Sequence, residues 1–148
     1  MNVRNYVRFE FFSMPENIAF ARSCVGAFAA QLDCTLEDIE EIKLVVSEAV
    51  SNCIIHGYEN NPTQIITLMV SIDDHGVLEI VVEDQGRGIE DLQQAMEATY
   101  SSDPTRMGLG FTFMKSFTDD MQVDTAPGQG TTVRLKRSFL INNKEALA

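Results

Sequence analysis

The most informative stretch of this chain is Glu48-Ala49-Val50-Ser51-Asn52. It lies in a segment whose apolar residues recur at helical spacing, so Glu48 and Asn52 should project from one face about one turn apart. A carboxylate that polarises a hydroxyl and a carboxamide that ligates a hard metal ion could share that face. The same pair is also common on solvated helices, so it does not identify a site by itself.

The helix that carries this stretch has clear limits in the sequence. Thr35-Leu36-Glu37-Asp38 predicts its start by a capping pattern, and Gly57 predicts its end as a left-handed cap. Apolar residues cover most of its circumference, so we expect it to be covered on more than one side. Because Leu44 and Val45 flank Glu48, the sequence indicates a cleft beside this acid rather than a solvated surface.

The elements on either side of this helix predict the fold class. They are a strand over 6–12, a helix opened by a capping box at Ser13-Met14-Pro15-Glu16, hairpin strands over 64–72 and 77–83, a short helix over 89–98, a helix from Gly108 to Asp119, and hairpin strands over 122–125 and 131–140. This order predicts an α/β (α+β) two-layer sandwich, in which a mainly antiparallel mixed sheet carries helices on one face.

Size and charge limit the classes of function. The 148 residues fit one domain with a proper core, and the three cysteines form no C-x-x-C, which argues against a disulfide framework or a zinc site. The formal net charge of −11 argues against direct nucleic-acid binding. No apolar run reaches the roughly 18–20 residues of a membrane span, and the first residues predict no signal peptide.

Two glycine clusters suggest a nucleotide site. Asp84-Gln85-Gly86-Arg87-Gly88 follows a predicted strand, where the carboxylate could accept a hydrogen bond from an exocyclic amine such as that of adenine. Gly108-Leu109-Gly110-Phe111 opens a predicted helix and could present free N–H groups to phosphate. Each cluster could also be an ordinary turn. Asp91 occupies the third glycine position of a G-x-G-x-x-G pattern, and the chain has neither a P-loop nor the H-R-D and D-F-G motifs of eukaryotic-type kinases.

Two further residues are candidates for contact with a nucleotide. Arg106, just before the second glycine cluster, could pair with a terminal phosphate, although a solvated loop arginine is the alternative. Thr131 could bring a hydroxyl near the Asp84 carboxylate and help to hold a base edge, although it could be a simple strand residue.

In this order and spacing the three clusters resemble the GHKL (Bergerat-fold) ATP-binding domain over roughly residues 5–140. Val45 to Asn52 and Ile54-Ile55-His56-Gly57-Tyr58 look like the corresponding helix of bacterial anti-sigma factor serine kinases. The Gly108 and Thr131 regions resemble the sporulation branch, the anti-sigma F factors. The resemblance implies a single kinase domain over 1–148 that binds ATP or ADP and Mg²⁺.

The resemblance also implies roles for individual residues. Glu48 would be the base that activates a substrate serine, Asn52 would bind Mg²⁺, and Asp84 would hold adenine with help from Thr131. Arg106 would face the γ-phosphate, and the pocket and its lid would be shaped by Gly86, Gly88, Gly108, Leu109, Gly110 and Phe111. On the first helix, Arg22 matches a position that the family uses for docking partners.

The activity implied is that of a cytoplasmic anti-sigma factor. As a homodimer it would sequester a sporulation sigma factor and phosphorylate an anti-anti-sigma protein on serine, with no direct contact with nucleic acid or membrane. Two alternatives stay open at this point: a non-catalytic sigma-sequestering module in which nucleotide is structural, and the stress-response anti-sigma B kinase.

Overall fold

The structure, a computed structural model, describes residues 2–97 and 107–139. Its elements in chain order are β1 (Val3–Phe12), α1 (Glu16–Ala29), α2 (Leu36–Asn52), a π-helical turn (Cys53–Gly57), β2 (Ile65–Asp73), β3 (Val77–Asp84), α3 (Leu92–Ala95), α4 (Met107–Ser116), β4 (Asp120–Thr125) and β5 (Thr131–Ser138). No helix within these ranges combines the length and the apolar character that crossing a membrane requires.

The described strands form one five-stranded sheet in the order β1-β2-β3-β5-β4, and every neighbouring pair is antiparallel. Alternate residues of β2 are buried in the core that the sheet shares with the helices, namely Ile66, Leu68, Val70 and Ile72. This arrangement confirms the predicted two-layer α/β fold. The register places Asp84, the last residue of β3, opposite Thr131, the first residue of β5.

Helix α2 is the central helix of the helical layer, because it contacts α1 along one side and α4 along another. It buries Ile42, Val45, Val46, Ala49 and Val50, as the apolar residues around its circumference predicted. The predicted cap at its start is present. Asp38 N donates to Thr35 Oγ1 at 3.0 Å, and Thr35 N donates to Asp38 Oδ2 at 2.9 Å.

The capping box predicted at the start of α1 was wrong. Pro15 is the N-cap residue and makes no side-chain cap bond. The fully buried Ser13 instead donates its hydroxyl to Asn61 O at 2.5 Å and accepts from Gln64 N at 3.2 Å. A buried hydroxyl needs partners wherever they lie, and here the loop before β2 supplies them.

The left-handed cap predicted at Gly57 was also wrong. The helix continues past Asn52 as the π-helical turn, in which Tyr58 N donates to Cys53 O at 2.9 Å. The positive φ angles that end it belong to Glu59 and Asn60, at 52° and 65°. Gly57 instead lies against the Asp84 carboxylate, a contact that is described with the cleft below.

The second half of the chain has shorter helices than the sequence predicted. α3 spans only Leu92–Ala95, because the residues before it form a loop in which Ile89 N donates to Thr125 Oγ1 at 3.0 Å. Asp91, the residue at the third glycine position, caps α3 by accepting from Gln94 N at 3.1 Å. α4 ends at Ser116, three residues before its predicted end at Asp119.

Candidate functional site

A cleft opens between α2, the π-helical turn, the end of β3 and the first turns of α4. It contains about 350 Å³ of empty space, part of which is open solvent. Its described lining residues are Ala49, Asn52, Cys53, His56, Gly57, Val82, Asp84, Gly88, Ile89, Phe111, Thr131 and Val133. The lining is thus mostly apolar with a few polar groups, which is typical of cofactor sites.

Asn52 is one of the polar groups that line the cleft, and Glu48 lies one turn before it on α2. Glu48 and Asn52 are both half-buried on α2 and both face Gly110 in the first turn of α4. A Cβ atom at Gly110 would lie 3.2 Å from Glu48 Oε2 and 3.6 Å from Asn52 Oδ1. The structure therefore brings the helical acid, the amide and the second glycine cluster together, as the sequence predicted.

Asn52 has an incomplete set of hydrogen bonds. Its Nδ2 atom is buried and has no hydrogen-bond partner among the residues that the structure describes. Buried side-chain polar atoms are usually paired in native proteins, so such an atom indicates a partner that is not part of the described chain. Asn52 lines the cleft, which makes a polar ligand in the cleft a natural partner.

Asp84 is the buried acid of the cleft, with only 5% of its surface exposed. Burial raises the pKa of this carboxyl group, and hydrogen bonds from Gly86 N–H, the Cys53 thiol and Thr131 N–H act in the opposite direction. The bond from Gly86 N to Asp84 Oδ1 measures 2.9 Å. These donors hold the carboxylate in one orientation inside the cleft.

The first glycine cluster lies against the π-helical turn at backbone contact. A Cβ atom at Gly86 would lie 2.1 Å from Gly57 O, and one at Gly57 would lie 2.8 Å from Asp84 Cγ and Oδ2. No side chain fits between Gly86 and the Gly57 backbone, so glycine is required at position 86, whereas a side chain at position 57 would displace the Asp84 carboxylate. Arg87 completes the contact, with its N donating to Gly57 O at 3.0 Å and its Nε to His56 O at 2.9 Å.

Thr131 lies opposite Asp84, and it lines the cleft as predicted. Its hydroxyl shares a hydrogen bond with Thr125 Oγ1 at 2.9 Å. The Thr125 hydroxyl also bonds to Gly130 O at 3.1 Å and to Ile89 N at 3.0 Å. This network ties the loop that follows β3 to the second hairpin.

The remaining predicted residues lie at different distances from the cleft. Phe111 is 1% exposed and forms part of its apolar wall, and Leu109 is half-buried. Gly108 contacts the end of the α3 segment, since a Cβ there would lie 1.8 Å from Glu97 O. Arg22 is exposed on α1, away from the cleft. Arg106 lies outside the described residues.

Several residues of the cleft were not predicted from the sequence. Cys53, His56, Gly57 and Ile89 line it, and Tyr58 lies directly behind it. The spacing offered one indication, because Cys53 and His56 continue the helix face of Ala49 and Asn52 by one further turn. The contact between Gly57 and Asp84 joins residues far apart in the sequence, so no local pattern could have indicated it.

The amino-acid sequence of this chain is similar to those of known proteins along most of its length. The profile of the family "Histidine kinase-like ATPase domain" matches residues 11–137. The chain is 45% identical over 139 residues to an anti-sigma F factor from Geobacillus stearothermophilus, covering 93% of this chain and 94% of that protein. It is 43% identical over 137 residues to the anti-sigma F factor of Bacillus subtilis (strain 168), covering 91% and 93%.

Solved structures resemble this one in fold. A structure of the RsbU and RsbW domains of a Mycobacterium tuberculosis protein matches 90% of this chain and 32% of its own, with a TM-score of 0.66 and 17% identity. The histidine kinase domain of a blue-light activated kinase from Erythrobacter litoralis matches 90% of this chain and 63% of its own, with a TM-score of 0.57 and 18% identity. At these identities the likeness shows the fold alone.

Proposed function

This chain belongs to the histidine kinase-like ATPase domain family and, within it, to the anti-sigma F factors, and from that premise we propose that it inhibits a sporulation sigma factor and phosphorylates a protein on serine. An ATPase domain of this family binds nucleotide. The sigma factor is the partner that the name of its relatives states. The substrate that we propose is an anti-anti-sigma protein.

The cleft supports a specific way of holding ATP. Asp84 would accept a hydrogen bond from the exocyclic amine of adenine, with Thr131 beside it. The apolar wall that includes Val82, Ile89 and Phe111 would cover the base. The triphosphate would then extend toward Gly108 and Gly110 at the start of α4, where N–H groups of a helix N-terminus are available for phosphate oxygens.

Glu48 is the group that we assign to catalysis. The substrate serine Oγ would attack the γ-phosphorus, Glu48 would accept the proton of that hydroxyl, and ADP would leave with the electron pair of the broken P–O bond. Phosphoryl transfer needs little covalent help from a protein, so positioning of the two reactants would supply much of the rate. The half-burial of Glu48 next to Gly110 supports this role.

Mg²⁺ is the metal that fits the polar end of the cleft. Carboxylate and amide oxygens are ligands that this hard cation prefers, and Asn52 offers Oδ1 beside the Glu48 carboxylate. Its Nδ2, which has no partner among the described residues, could donate to a phosphate oxygen. When bound, Mg²⁺ would neutralise phosphate charge, which matters for a chain of net charge −11. We propose Asn52 as its protein ligand.

Further contacts complete the proposal. Arg106 would face the γ-phosphate, and the exposed Arg22 would dock a partner protein from α1. The net charge of −11 suits a basic sigma-factor surface. We also propose that the chain forms a homodimer and acts in the cytoplasm, where sigma factors meet RNA polymerase.

The observation that carries this function is that Glu48 and Asn52 meet Gly110, and that Asn52 also lines the cleft that contains Asp84. The test is Glu48→Gln with labelled ATP and the candidate anti-anti-sigma protein. We expect nucleotide affinity to stay within about twofold while phosphate transfer falls at least a hundredfold, the range of general-base catalysis. Glu37→Gln, an exposed change on the same helix, is the matched control. Transfer at the wild-type rate in Glu48→Gln would contradict the base assignment.

A further inference from the structure

The π-helical turn Cys53–Gly57 has no part in the chemistry proposed above, yet it lies against the acid that would bind adenine. π-helical turns are rare and occur frequently at functional sites. Here the turn and the residue after it meet the end of β3 through two side chains, those of Cys53 and Tyr58. Both are buried, with 4% and 8% of their surfaces exposed.

The Tyr58 hydroxyl connects two strands. It donates to Ile65 O at 2.5 Å, at the first residue of β2, and it accepts from Gln85 N at 2.6 Å. Gln85 lies between Asp84 and Gly86, whose N–H binds the Asp84 carboxylate. One hydroxyl therefore fixes the backbone that carries both the acid and its principal donor.

The Cys53 thiol approaches the same acid from its side-chain end. Cys53 and Asp84 both line the cleft, and the thiol acts to lower the pKa of the Asp84 carboxyl group. A carboxylate has several acceptor positions, so its orientation must be fixed before it can accept a hydrogen bond from one particular amine. The Gly86 N–H takes up one of these positions, and the Cys53 thiol and the Thr131 N–H act on the same group, which leaves at least one of about four positions for a ligand.

We propose that Tyr58 and Cys53 are positioning residues for adenine recognition, which hold the Asp84 carboxylate in the orientation that accepts a hydrogen bond from the exocyclic amine. This inference rests on the proposed function, in which Asp84 binds that amine. A residue with this role affects the discrimination between adenine and a base without the amine. A residue that only stabilises the fold affects both nucleotides alike.

The experiment compares the dissociation constants of ATP and of purine riboside triphosphate, which lacks the 6-amino group. Hydrogen bonds to charged groups predict that wild-type protein binds ATP about tenfold or more tightly than the analogue. We expect Tyr58→Phe and Cys53→Ala each to reduce this preference at least threefold, with little change in the analogue's dissociation constant. Cys53→Ser keeps a donor and is expected to restore the preference.

Tyr6→Phe and Cys24→Ala are the matched controls, since Tyr6 is exposed on β1 and Cys24 is half-buried on α1. If both test variants weaken the two nucleotides equally, or change neither, the inference is overturned. If Tyr58→Phe does not fold, the Cys53 pair of variants decides alone. A wild-type protein that binds both nucleotides equally well would instead refute the adenine role of Asp84, and the inference with it.

Discussion

Gly57→Ala is the substitution whose effect the structure predicts most sharply. The backbone at Gly57 is helical rather than left-handed, so alanine causes no backbone strain, and helix propensity alone favours it by up to about 1 kcal/mol. The new Cβ would lie 2.8 Å from Asp84 Cγ and Oδ2, about 0.6 Å closer than ordinary contact at 3.4 Å. Since the backbone of Gly86 closes the other side of Gly57, the carboxylate is the group that has to move.

Displacement of the carboxylate would break the hydrogen bond that Asp84 would make to adenine. Hydrogen bonds to charged groups contribute about 1.5–3 kcal/mol, so ATP affinity should fall about 10-fold to 150-fold. Isothermal titration calorimetry with ATP measures this directly. The control is Gly26→Ala in α1, where the new Cβ meets the flexible side chain of Lys43 at 3.1 Å and Ile39 Cγ2 at an ordinary contact distance of 3.6 Å, so ATP affinity should not change. Unchanged ATP affinity in a folded Gly57→Ala protein would refute the reasoning.

Three further predictions concern stability and reactivity. Arg137→Met removes ion pairs to Asp38 at 2.7 Å and to Glu41 at 2.9 Å, so the free energy of unfolding in urea should fall by about 1–3 kcal/mol. The control is Lys136→Met, which removes an exposed ion pair to Glu79 at 3.9 Å and should change this free energy by less than about 0.5 kcal/mol. The N–H of Thr35 bonds to the Asp38 carboxylate and lowers the pKa of this group. The ionised carboxylate therefore stabilises the folded protein at pH values above the pKa that Asp38 has in the unfolded chain, and this stabilisation is lost as the pH falls through its pKa in the folded protein. Asp38→Asn should therefore flatten the acid side of a stability-against-pH curve, and an unchanged slope would contradict this. Burial raises the pKa of all three thiols, and that of Cys53 well above its usual value, so a thiol reagent should modify Cys53 more slowly than the half-buried Cys24 and Cys34. Three equal rates would count against the buried position of Cys53.

Much of the fold could be predicted from the sequence because its causes are local. The capping box at Thr35 and the apolar residues of α2 predicted a central helix covered on two sides, and the structure confirms it. The spacing of Glu48 and Asn52 placed them on one face by helical geometry alone. Alternating residues and turn sequences predicted the strands of both hairpins, with boundaries that differ by one or two residues.

Local patterns failed where a distant partner determined the conformation. Ser13 has the sequence of a capping residue, but its hydroxyl bonds to Asn61 and Gln64, about fifty residues away. Gly57 has the sequence of a left-handed cap, but it lacks a side chain because Asp84 lies against it. In both cases one buried contact outweighed a local preference of about 1 kcal/mol.

Local sequence was therefore enough to predict the elements, their order and the position of an acid and an amide on the same face of a helix, because periodicity and capping act within a few residues. Tertiary folding alone brings Gly57 against Asp84 and Gly86, and brings the Tyr58 hydroxyl to Gln85. These contacts join residues between 27 and 29 positions apart on the chain. They exist only after the π-helical turn has been brought against the end of β3.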